Sequence, residues 1–102
     1  MIGLIGCGAR KLSTAAPARD LYTGPLFLAA RAYVEVRCER WGILSAKHGF
    51  LDPDEVVEPY DQAFLRMSAR DRKVLEMGVG AVLRARFPGQ RFLWLAPHIV
   101  GR

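Results

Sequence analysis

The chain opens on an apolar run, Met1 to Ile5, which stops at Gly6-Cys7-Gly8. A run this short and free of charge reads as a strand buried on both faces. Gly6 to Asp20 is rich in glycine, alanine and small polar residues and reads as a loop. The period then changes. In PLFLAARAYVEVRCERW, Leu26, Ala30, Tyr33 and Val34 share one helical face, and Arg31, Glu35 and Glu39 take the other. Thr23 is placed to cap this helix, with Pro25 in its first turn. Cys38 follows Val34 by one helical turn and joins the apolar side as a buried thiol. Trp41 to Leu44 is a second apolar run. SAKHGFLDPDEVVEPYD after it reads as a long loop with a turn at Asp52-Pro53-Asp54. Ser68 opens another helix, with Asp71 at the capping-box position and Val74, Leu75, Val79, Val82 and Leu83 as its apolar side. Gly78 and Gly80 predict a close approach of that helix to a sheet. Pro88-Gly89 ends it, and Phe92 to Leu95 is a third strand.

This alternation predicts an α/β fold: three layers, with a small, mostly parallel sheet flanked by helices, Rossmann-like in plan. In such sheets ligands collect outside the carboxyl ends of the strands. All three strand exits carry permissive or polar residues: Gly6-Cys7-Gly8, Ser45-Ala46-Lys47-His48 and Pro97-His98.

Those exits hold the candidate chemistry. In GCGARK, Gly6 and Gly8 let a ligand approach the backbone, and Arg10 and Lys11 add positive charge, as in an anion-binding nest. The stretch is neither a Walker A loop nor a full dinucleotide fingerprint. Cys7 is a candidate nucleophile. In SAKHG, Ser45 brings a hydroxyl, Lys47 a partner for phosphate or carboxylate, His48 a titratable donor, and Gly49 a turn with positive φ. In EPYD, Tyr60 can cover a flat ring, and Asp61 can accept a ring proton or orient His48. Tyr22 can close the pocket, and Asp20 can cap locally or pair with Arg19. Cys7, Cys38, His48 and His98 lack a metal-ligand spacing, and nothing calls for a cofactor.

Composition narrows the partners. The chain has 102 residues, enough for one domain over 1–102. A net charge of +5 favours anionic partners: a nucleotide or nucleobase, or nucleic acid along Arg66, Arg70, Arg72, Lys73, Arg84 and Arg86. Two cysteines make no disulfide scaffold, no signal segment is evident, and no apolar run nears the length of a membrane span, so a cytoplasmic protein is expected. A homodimer would add buried surface to so small a domain. Three functions stay open. One is glycosidic-bond chemistry, with His48 and Asp61 moving protons while Lys47 and Arg10 steady negative charge. The others are a non-catalytic nucleic-acid-binding module and a structural or partner-binding domain.

In combination GCGARK, ARDLYTGPLF, SAKHGFLDP and EPYD resemble an uncharacterised bacterial and phage family of unknown function, over about Leu4 to Asp61. That family is distantly similar to accessory domains of tRNA deazaguanine modification and to a peroxide-stress protein family. The resemblance implies nucleobase or nucleic-acid chemistry, with Cys7, Lys11, Tyr22, Ser45, Lys47, His48, Gly49, Tyr60 and Asp61 at its motif positions. It also implies a chain shortened at the C-terminus, since relatives continue past the third strand where this one reads LAPHIVGR.

Overall fold

The computed structural model describes residues 1–8, 10–60 and 67–95. Its centre is β1 (Ile2–Gly6), buried at every position. On one side β1 pairs in parallel with β3 (Arg40–Ser45), with Gly6 opposite Leu44, and on the other side in parallel with β6 (Phe92–Leu95). The three apolar runs are thus parallel neighbours, as their alternation with helices predicts. Continuous apolar character follows from cover on both faces of the central strand.

The expected long loop after β3 contains more order than its composition showed. Gly49–Leu51 turns back as β4 and pairs antiparallel with β3, so the four-stranded sheet, ordered β4-β3-β1-β6, is mixed. Gly49 makes the reversal possible with φ +74°, a conformation costly for residues with a Cβ. The stretch Gly6 to Asp20 is likewise not all loop. Ala16–Pro17 forms β2, which pairs with Val56–Val57 (β5), and Ala18–Leu21 forms the short helix α1. The Ala18 and Arg19 N–H groups donate to the carbonyls of Glu55 and Pro53, at 2.8 and 3.0 Å. Neither segment has the apolar period that reveals a longer element; each is held by pairing with the other.

Helix α2 (Pro25–Arg37) covers one face of the sheet. Its N-cap is Gly24, with no side-chain cap bond, rather than Thr23. Its buried residues are Phe27 and Val34, whereas Leu26 is 49% and Tyr33 43% exposed. The inward stripe thus keeps Val34 and Ala30 of the predicted face and takes Phe27 in place of Leu26 and Tyr33. A close approach fixes it: a Cβ on Gly3 would lie 2.8 Å from Val34 and 3.1 Å from Cys38 Sγ. Cys38 is buried at the C-cap of α2, in the core with Ile5, Phe27, Val34 and Ile43. Arg31 does not simply face water. Its guanidinium donates to the Arg19 carbonyl at 2.9 Å and to Asp20 at 3.2 Å, tying α2 to α1, while Arg19 pairs with Asp54. Asp20 thus pairs with Arg31 and not with Arg19.

Helix α3 (Ala69–Arg86) begins where expected, with Ser68 Oγ accepting the Asp71 N–H at 3.1 Å. It leans on the other face of the sheet through Leu75, Val79 and Leu83, all half-buried, while Val74 is 65% exposed. The small core there joins Ile2, Leu4, Leu44 and Phe87. Gly78 and Gly80 do not mark a close approach to the sheet: a Cβ on Gly78 would meet nothing within 4 Å, and the nearest atoms to one on Gly80 belong to the Arg84 guanidinium of the same helix. No helix among the described residues is long and apolar enough to cross a membrane.

Candidate functional site

Parallel pairing brings the ends of β1 and β3 side by side. The Cys7 N–H donates to the Leu44 carbonyl at 3.0 Å, extending the ladder one residue past β1. The chain therefore leaves β1 and β3 at the same end of the sheet, and the loops that follow Gly6 and Ser45 share that end.

Ser45 is the hub. It is 0% exposed, and its Oγ accepts the backbone N–H groups of Lys47 and His48 at 3.1 and 3.0 Å. The serine thereby caps the tight turn into β4. The same oxygen lies 2.6 Å from Tyr60 Oη, which lies 2.6 Å from Tyr22 Oη. Tyr22, 0% exposed, is held by the isolated bridge between Lys11 and Tyr22 and packs on Phe27 at a ring separation of 5.1 Å. Tyr60 is half-buried and meets the His48 ring edge-on, at 5.2 Å and 90°.

The surroundings are cationic. Lys11 Nζ stands 4.5 Å from the Tyr60 ring centre and 5.7 Å from that of Tyr22, and Lys47 Nζ stands 5.9 Å from Tyr60. These lie within the range of cation–π attraction. Burial pushes the Tyr22 phenol up to about 12, opposed by its hydrogen bond to Tyr60 and reinforced by the charge Cys7 would carry. The Tyr60 phenol is pushed up for the same first reason, and Cys7 adds to it. Both phenols are therefore neutral near pH 7, able to donate and accept hydrogen bonds but not to act as bases.

Of the predicted residues, the fold gathers Cys7, Lys11, Tyr22, Ser45, Lys47, His48 and Tyr60, with Gly8 in the first loop and Gly6 and Gly49 at the adjoining ends of β1 and β4. Arg10 is exposed, and its carbonyl accepts the Thr23 N–H at 3.0 Å. Cys7 is buried, while Lys47 and His48 are exposed. A Cβ on Gly8 would enter open space. Asp61, Ala9, Arg66, Pro97 and His98 lie outside the described residues. The basic positions of α3 are spread along its length. Arg70, Arg72 and Lys73 stand in its first turns, Arg84 lies about 21 Å along the axis from Arg70, and Arg86 pairs with Asp52 at 2.7 Å. Among the described residues no group of three or more His, Cys, Asp and Glu is placed to hold a metal ion.

The hydroxyl chain from Ser45 through Tyr60 to Tyr22 was not legible in the sequence. The spacings 22, 45 and 60 have no period, and only the return of the chain after β4 makes them neighbours. A cavity of about 380 Å³ opens on the α3 side, lined by Leu4, Leu44, Leu75, Val79, Leu83 and Trp94, with Arg72 and Glu76 also on its wall. It is mostly apolar and offers less polar chemistry than the tyrosine cluster.

Comparison with known proteins adds an affiliation. A family of unknown function (DUF6884) matches residues 2–99. The uncharacterized protein YfjM of Bacillus subtilis (strain 168) is 40% identical over an alignment of 68 residues, with 60% of this chain and 45% of that protein covered. The match thus spans less than half of the relative's length. No solved structure matches the chain. The likeness to an uncharacterised bacterial family stands; the likeness to tRNA-modification and peroxide-stress domains is an implication of the motifs alone.

Proposed function

The chain belongs to this family of unknown function, and from that premise we propose that it binds a small anionic ligand of the nucleotide class outside the carboxyl ends of β1 and β3. The observation that carries the reading is the convergence of Lys11 and Lys47 on one tyrosine ring, within 6 Å of its centre, at the shared exit of two parallel strands. In this reading the sheet acts as a Rossmann-like sheet does, with the ligand at the strand ends. Lys47 and His48, both exposed, meet the charge, and Gly8 leaves room for it. Binding is favoured over catalysis because Ser45 is sealed and saturated with donors, and the two phenols hold their protons at neutral pH.

The test is titration calorimetry at low salt with adenosine 5′-monophosphate, adenosine and inorganic phosphate. The monophosphate should bind more tightly than adenosine, and phosphate alone should bind weakly. Lys47→Gln should weaken the monophosphate about tenfold, about 1.4 kcal/mol, with an unchanged melting temperature. Gly8→Val should weaken it too, with little change in stability. Equal binding of adenosine and its monophosphate, or full affinity in both variants, would overturn the proposal.

A further inference from the structure

The three hydroxyls of Ser45, Tyr60 and Tyr22 bring three protons to two hydrogen bonds. One proton is left over, and the surroundings decide whose it is. Ser45 Oγ already accepts two backbone N–H groups, which occupy both of its lone pairs. It can only donate to Tyr60, so the spare proton belongs to a phenol. Placed on Tyr22, that proton would be sealed in a residue with no exposed surface, cut off from the water that would otherwise accept it. Placed on Tyr60, it belongs to a half-buried residue whose ring centre has Lys11 Nζ at 4.5 Å, Lys47 Nζ at 5.9 Å and the His48 ring at 5.2 Å, and among the described residues no further hydroxyl acceptor is placed against it.

We infer that Ser45 and Tyr22 both donate to Tyr60, so that the Tyr60 phenol presents its own proton to the ligand and the site selects an unprotonated acceptor oxygen of a phosphate or carboxylate. This rests on the anionic-ligand reading and adds a direction to it. Tyr60 is the contacting donor. Ser45 is a positioning residue: it touches no ligand, and it sets the phenol's direction by filling its inner lone pair. Tyr22 fills the second. A protonated amine or a nucleobase N–H offered at this point would meet a donor with a donor and be rejected.

The experiment is proton NMR of the hydroxyl resonances in the full chain, free and with inorganic phosphate as the probe. In the free protein the Ser45 and Tyr22 hydroxyl protons should exchange slowly with water and the Tyr60 hydroxyl proton quickly. Phosphate should slow the Tyr60 proton at least tenfold. Tyr60→Phe and Ser45→Ala should each weaken phosphate about tenfold, and Ser45→Thr, which keeps the hydroxyl, should restore it. A slow Tyr60 proton with a fast Tyr22 proton in the free chain would overturn the inference and leave the anion site standing, as would full phosphate affinity in Tyr60→Phe. No phosphate binding by the unaltered chain would remove the anion reading and the ligand contact together. The wild-type exchange pattern decides the direction of the hydroxyls even if Ser45→Ala fails to fold.

Discussion

Alkaline pH should destabilise this protein through Tyr22, and Tyr22→Phe should remove that part of the effect. The phenol titrates at 10.0 when unburdened by its surroundings and at about 12 in the fold, chiefly because it is buried. Below pH 10 both folded and unfolded chains hold the proton, so the group's contribution to stability is fully present. Between 10 and 12 the unfolded chain releases it and the folded chain does not, so stability falls as pH rises. Each pH unit corresponds to about 1.4 kcal/mol, which makes the loss up to about 3 kcal/mol by pH 12. At pH 8 Tyr22→Phe gives up one hydrogen bond to Tyr60, about 1 kcal/mol, and is the less stable protein. Its own decline should be shallower, so the two stability curves should converge as pH rises from 10 towards 12, with the variant becoming the more stable protein within that interval. Removing the Tyr22 hydroxyl also lifts part of what holds the Tyr60 proton, so the difference reports the hydrogen-bonded pair. Urea unfolding followed by circular dichroism from pH 8 to 11.5 measures the gap directly. Parallel curves across that range would refute the argument, because they would mean that the Tyr22 proton is no harder to remove in the fold than outside it.

Two further outcomes test the fold. Gly3→Ala should cost about 1–3 kcal/mol in thermal or urea unfolding, since its Cβ would stand 2.8 Å from Val34, and truncating Val34 in the same chain should relieve part of that penalty; an unchanged melting temperature would mean that α2 does not lie so close to β1. Ser68→Ala should cost about 1 kcal/mol and speed amide exchange at Asp71, whose N–H loses its acceptor, whereas protection equal to the parent would show that the cap is not formed in solution.

What the sequence by itself determined is what local chemistry and period express. Three apolar runs too short for helices became three parallel strands. The Ser68 cap and the Pro88-Gly89 stop bound the last helix, because caps and breakers act through the backbone within one turn. Gly49 announced a turn with positive φ. The strand exits pointed to the region where Cys7 and Ser45 meet, because parallel neighbours end together. Tertiary structure alone decided the rest. β2 and β5 are two residues each and exist only by pairing across the chain. How closely α2 lies on β1 was decided by the contact of Gly3 with Val34, which no helical period contains. Ser45 reads as one polar residue after a buried strand. Only the return of the chain after β4 places Tyr60 against it and Tyr22 beyond, and only burial makes those phenols hold their protons. Hydrogen bonds between residues 22, 45 and 60 leave no periodic trace along a chain, because they depend on distances in space that the packing of distant segments creates.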